Sequence, residues 1–198
     1  MSNNRSVEFF DRQFELRIHQ TGGALNPFEQ AALPHLRGRV LDFGCGMGNL
    51  AMAAARVGCS VLALDASDVA ITHLRQLAIA EGLPVEAQVA ELSQYDVTGH
   101  FDSIVSIGLL IFLDCAAAQR ALADLQLHLM PGGTMVVNVL VEGTTYMDMF
   151  DPNAHCLFSR NFLQSQFSCW QVIASAHQDF SAPGDTVKSF ATIVARKP

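Results

Sequence analysis

Residues 40–50 read VLDFGCGMGNL, and residues 61–67 read VLALDAS. Val40, Leu41 and Phe43 make a short apolar run suited to a strand covered on both faces. Asp42 sits within that run, and glycines follow at 44, 46 and 48. After them come a helical apolar pattern and a second strand that ends on Asp65. Strand, glycine loop, helix, strand and terminal carboxylate together build a crevice for an adenosine-bearing ligand. Gly44 and Gly46 let the backbone turn sharply and approach a ligand with no Cβ in the way. The N–H groups of this turn and of the next helix's first turn are then available to a ligand's carboxylate.

The spacing separates two ligand classes. A dinucleotide fingerprint would place its third glycine or an alanine at 49, and Asn49 stands there. The pattern leans away from NAD and toward S-adenosylmethionine. Asp65 is placed to accept both ribose hydroxyls, and Asp42 to bond the loop or the ligand's ammonium. The plainer alternative is a structural glycine turn with Asp65 as a helix cap. The interval between loop and carboxylate counts against it.

Composition bounds the rest. At 198 residues, with half of them hydrophobic and 16% charged, the chain suits one α/β domain with a full core. The net charge of −7, with no run of Lys or Arg, argues against a nucleic-acid partner and favours a small molecule. The five cysteines (45, 59, 115, 156 and 169) are odd in number, widely spaced and without a Cys-x-x-Cys pair. That argues against structural zinc, any other metal centre or a disulfide framework. Reduced thiols in a cytoplasm are expected, with Cys156 the one to watch. No signal-peptide pattern opens the chain. The apolar stretch 104–113 is too short, and too interrupted by Ser106 and Gly108, to span a membrane.

Periodicity and breakers predict helices over 6–20, 28–36, 48–57, 67–81 and 114–130. Strands are predicted over 39–43, 60–65, 83–89, 101–107 and 134–141, with 170–177 and 187–196 paired as an antiparallel hairpin. Five α/β units closed by such a hairpin differ from a six-strand parallel dinucleotide fold.

In these stretches the chain resembles the class I S-adenosylmethionine-dependent methyltransferases, most of all their tellurite-resistance (TehB-like) small-molecule branch. LDFGCGMGNL, LALDAS, QVAEL, FDSIVSIGLLIFLD and LMPGGTMVVNV carry the general likeness, over about 39–141. FELRIH, IGLLIFLD, CLFSRNFL and FATIVARK carry the branch. The resemblance implies a three-layer, Rossmann-like α/β fold with a mostly parallel seven-stranded sheet. It implies one domain: a helical lid at 1–36, a cofactor core at 37–141 and a substrate-side segment with the closing hairpin at 142–198. It implies S-adenosylmethionine as cofactor and S-adenosylhomocysteine as product. Gly44, Cys45 and Gly46 would meet the methionine part through backbone, Asp65 the ribose, and Ala66 the adenine. Glu91 and Leu92 stand where relatives carry an acidic residue for the adenine amino group. Ser106 ends the fourth strand, where methyl and acceptor meet. Many relatives have a polar residue at 47, where this chain has Met47.

Phe14, Arg17 and His19 are placed on the lid, with Arg17 a candidate partner for the methionine carboxylate. A solvated Arg17 is the alternative. Residues 141–160 are long for a connection, and such length is often functional. Tyr146, His155 and Arg160 are the candidate catalytic or acceptor-binding groups there, beside an adaptable wall of Met147, Met149, Phe150 and Phe158. Two other classes stay open: a non-catalytic cofactor-binding protein of the same fold and an NAD(P)-dependent oxidoreductase. Monomer and homodimer both fit.

Overall fold

The computed structural model describes residues 5–17, 23–152 and 154–198, with Arg17 as backbone alone. Its first helix, α1 (Arg5–Arg17), carries Phe9, Phe10 and Phe14 at helical spacing. The predicted extension to residue 20, and His19 with it, lies outside the described residues.

The glycine-loop unit forms as its pattern dictates. Strand β1 (Arg39–Phe43) is buried from Val40 onward, and the glycine loop leads into α3 (Asn49–Arg56) and β2 (Ser60–Asp65). Before it lies α2 (Pro27–Ala32), opened by Asn26 and Glu29 in a reciprocal capping box with Pro27 in the first turn. One helix was expected over 28–36. It tightens into a 3-10 turn at Leu33–His35, because Pro34 has no N–H to continue the α ladder. Helix α4 (Asp68–Glu81) is capped by Ser67, whose side chain accepts the Ala70 N–H, and stops at Gly82 in the left-handed conformation.

Strand β3 (Val85–Val89) begins after Pro84, two residues later than expected, and β4 (Phe101–Ile107) matches its prediction. Helix α5 (Cys115–His128) ends earlier than expected, and β5 (Leu129–Leu140) already contains Pro131-Gly132-Gly133. The expected stop is instead an irregularity inside the strand. Leu129 pairs with Phe101, the register then shifts, and the Gly132 N–H and Gly133 carbonyl bond Lys197. A short α6 (Phe162–Gln166) precedes β6 (Gln171–Ala182) and β7 (Thr186–Arg196). The hairpin thus zips five residues beyond the expected end of its first strand, pairing Gln178–Ala182 with Thr186–Phe190.

The sheet order is β3-β2-β1-β4-β5-β7-β6, parallel except where β7 runs antiparallel to β5 and β6. One face packs on α2, α3 and α4 through residues such as Leu50, Ile71, Leu74, Val105 and Val136. The other packs on α5, α6 and residues 141–158 through Leu122, Leu125, Phe150, Phe158 and Phe167. This is the expected three-layer α/β fold with a seven-stranded, mostly parallel sheet. The order reverses between β1 and β4, and at such a switch point the strands' carboxyl ends part into a crevice.

One expectation is overturned. Cys115 and Cys156 are joined by a disulfide, with Cα atoms 4.8 Å apart, so the cysteines are not all free thiols. The bond ties the first turn of α5 to the 141–160 segment across 41 residues of sequence. Cys45, Cys59 and Cys169 are free. Among the described residues, no helix is long and apolar enough to cross a membrane, and no cluster of three His, Cys, Asp or Glu side chains forms a metal site.

Candidate active site

The crevice at the switch point is a cavity of about 350 Å³. Its floor is the loop after β1. The Gly44 and Cys45 N–H groups both donate to the Leu64 carbonyl, at 2.8 and 3.0 Å, which holds the loop against the end of β2. Asp65 completes that clamp: it accepts the Gly46 N–H at 2.8 Å on one oxygen and the Ser67 N–H at 2.9 Å on the other. Gly44 has φ +89°, and a Cβ there would meet Leu109 at 2.6 Å. Gly46 has φ +52°, and its missing Cβ leaves open the space between the loop and Phe14, 3.5 Å away.

Asp42 lies in the cavity wall yet is only 5% exposed, and its Oδ2 has no hydrogen-bond partner among the described residues. Burial, reinforced by the nearby charges of Glu29 and Asp65, pushes its carboxyl up to about 8. Burial also raises Asp65, against the pull of the Ser67, Gly46 and Ala66 N–H groups. The Cys45 thiol is raised well above its ordinary value by burial, then by Asp42 and Asp65, which keeps it protonated and unreactive. A buried carboxyl facing a cavity is suited to a cationic ligand group, whose charge would favour its ionised form.

The roof is α1. Phe10 and Phe14 line the cavity from that helix, with ring centroids 5.9 Å apart. The Ser67 hydroxyl donates to Asp11 at one end of the helix's contact, and the Ser6 hydroxyl accepts the Asp151 N–H, 3.2 Å away, at the other.

Asp42, Gly44, Cys45, Gly46, Asp65, Ala66, Glu91 and Leu92 all line this one cavity, as does Phe14. Ser106 does not; it is fully buried beneath the cavity, and its hydroxyl has no partner among the described residues. The side chain of Arg17 lies outside the described residues. Tyr146, His155 and Arg160 stand apart from the cavity lining. Tyr146 has the Lys188 ammonium over its ring at 4.4 Å. The His155 ring packs beside Phe150, with its Nδ1 at 3.0 Å from the Asp151 carbonyl. Arg160 is exposed beside Gly143, and its carbonyl lies 2.9 Å from His177 Nε2. Glu29, Asn26 and Phe112 also line the cavity and were not anticipated as site residues. The Asn-Pro-x-Glu signature of a helix start was the available signal for the first two.

Residues 40–133 match the family model described as a methyltransferase domain. "Hemagglutinin 1" of Eikenella corrodens is 28% identical over 170 residues, covering 81% of this chain and 55% of that protein. A "Probable S-adenosyl-L-methionine-dependent methyltransferase TehB" of Haemophilus influenzae is 25% identical over 167 residues, covering 80% and 57%. The crystal structure of TehB from Haemophilus influenzae superposes with a TM-score of 0.78 at 19% identity, over 98% of this chain and 67% of that one. Residues 40–133 carry a methyltransferase domain, and the chain is similar to TehB in sequence and fold. It spans just over half the length of these two relatives by sequence.

Proposed function

We propose that this protein transfers a methyl group from S-adenosylmethionine to a small-molecule nucleophile by in-line displacement. The observation that carries the reading is Asp42, a buried carboxyl with an oxygen unpartnered among the described residues, set beside the Gly44–Gly46 loop and Asp65 in one cavity at the switch point. A cofactor with an ammonium, a ribose and an adenine meets groups suited to each. Asp42 receives the ammonium, and the open space at Gly46 admits the chain beside it. Asp65 keeps lone pairs for ribose hydroxyls after accepting its two backbone N–H groups. Ala66 and Leu92 flank the adenine, and Glu91 accepts from its amino group.

S-adenosylmethionine supplies a methyl carbon already activated by a positively charged sulfur. The chain's own work is alignment and exclusion of water, which account for up to about 7–11 kcal/mol of barrier lowering when geometry is right. Helix α1 closes the cavity from above, held at Asp11 and Ser6. Tyr146, His155 and Arg160 do not line the cavity, and this mechanism assigns them no step. The acidic balance of the chain favours a small acceptor over nucleic acid. A cytoplasmic setting is proposed with the reading, where Cys115 and Cys156 would be held reduced; alkylation and mass measurement of protein taken directly from cells checks this.

Calorimetric titration with S-adenosylhomocysteine beside NADH tests the central claim. Micromolar binding of the first alone supports it. Binding of NADH alone would restore the oxidoreductase class. Binding of S-adenosylhomocysteine with no methyl transfer to any thiol, amine, phenol or chalcogen would leave a non-catalytic binding protein.

A further inference from the structure

The strand order assigns the two ends of the cavity. Loop, ribose and adenine groups occupy the side from β1 to β3, so the acceptor must enter at the end of β4 and under α1. That end is built from Ser6, Val7, Phe10, Leu109, Phe112 and Leu113. Phe10 and Phe112 meet there edge to face, 5.0 Å between centroids, and Phe150 backs Phe112 at 5.2 Å. The one polar side chain of the six, Ser6, accepts the Asp151 N–H. Among the described residues the whole cavity contains no Lys, Arg or His side chain, while Glu29, Asp42, Asp65 and Glu91 give it four carboxyls.

We infer that the methyl acceptor is an uncharged, apolar and weakly basic nitrogen nucleophile, a heteroaromatic ring, and not an oxyanion. This rests on the methyl-transfer reading and sets its substrate class. An oxyanion would be buried against ring faces and carboxylates with no cation among the described side chains to pair it, which disfavours its binding. A phenol or thiol must lose a proton, and none of the six described residues at that end is a base that could take it. A neutral nitrogen needs neither. Its lone pair forms the bond to the methyl carbon, the carbon–sulfur bond breaks with its electron pair left on sulfur, and the positive charge ends on nitrogen with no proton released. The faces of Phe10, Phe14 and Phe112 stabilise that charge as it arrives. The one cavity of about 350 Å³ has to take the cofactor as well, so the acceptor is small.

The test is calorimetric titration of the protein, first loaded with S-adenosylhomocysteine, with isoquinoline, N-methylisoquinolinium and tellurite at neutral pH. Isoquinoline and its methylated cation are expected to bind and tellurite is not. Phe10→Leu and Phe112→Leu, checked for folding by thermal melting, are expected to weaken the cation by about tenfold and isoquinoline by less. Phe10→Arg is expected to admit tellurite. With S-adenosylmethionine, mass spectrometry is expected to find N-methylisoquinolinium formed without proton release. Tighter binding of tellurite than of isoquinoline to the unaltered protein, or binding of neither, overturns the acceptor class. Failure of S-adenosylhomocysteine to bind strikes the underlying methyl-transfer reading instead.

Discussion

Asp42 and Asp65 are neighbours on adjacent strands, yet they are held in opposite ways. Asp65 has both oxygens committed to backbone N–H groups, whereas Asp42 keeps one oxygen bare. The difference predicts a pH signature. The Asp42 carboxyl sits near 8 in the fold against an ordinary 3.8, raised by burial and then by Glu29 and Asp65. The folded protein therefore holds a proton that the unfolded chain has lost. The associated stability is full below the ordinary carboxyl value and is lost as pH rises through about 8. A ligand ammonium reverses the demand and favours the carboxylate. Binding of S-adenosylhomocysteine at about pH 7 is expected to release a proton, read from heats in buffers of different ionisation enthalpy. Asp42→Asn should abolish that release; an unchanged proton count would assign it to another group. For Asp65→Ala the expectation is a loss of about a hundredfold or more in affinity together with a lower melting temperature. Ribose contacts and the Gly46 and Ser67 clamps go together in that variant. Asp65→Asn, which keeps one acceptor oxygen, should fall between. At this scale the gathering of Asp42, the glycine loop and Asp65 at one cavity was legible, because strand, glycine and carboxylate positions follow from local spacing. The acceptor side was not: Tyr146, His155 and Arg160 have suitable chemistry, but only the path of 141–160 decides where they point.

Regular elements were legible where periodicity and breakers agree, as in α4 between Ser67 and Gly82. They were misread where a long-range partner overrides a local signal. Pro131-Gly132-Gly133 is a stop by composition, but the Lys197 backbone recruits it into β5. The Lys197 ammonium meanwhile bonds the Gln126 and Leu129 carbonyls at the end of α5, each at 2.7 Å. Helix α1 belongs to the same scale, since its hold on the domain is a few point contacts rather than a ladder. Asp11→Ala removes the bond from Ser67, a lining residue, while Asp11 itself lies outside the lining. The expected result is faster release of S-adenosylhomocysteine, about three- to tenfold, and faster amide exchange in α1 alone. If exchange rises equally through β1 and β4, Asp11 supports the whole fold and not the lid.

Across the whole molecule, the parallel order and closing hairpin were legible because helices alternate with strands along the chain and a Pro-Gly-Asp turn separates the last two. The bond between Cys115 and Cys156 was not, since spacing says nothing about which distant thiols meet. Its position makes it more than a staple. The Cys156 N–H donates to the Ile111 carbonyl at 3.0 Å, and Phe112 beside it forms the acceptor wall with Phe150 packed behind. The disulfide thus fixes the 141–160 segment to the first turn of α5, just after the residues that shape the acceptor end, while the glycine loop and Asp65 lie on the other side of the switch point. Cys115→Ser in oxidised protein is expected to lower stability by about 2–4 kcal/mol, measured by denaturant unfolding. Dithiothreitol should bring the unaltered protein to the same level and leave the variant unmoved. Affinity for S-adenosylhomocysteine should hold in both cases while isoquinoline binding weakens, because only the acceptor end loses its backing. Equal loss of both ligands would mean that the two halves of the cavity are coupled through the sheet and cannot be loosened separately.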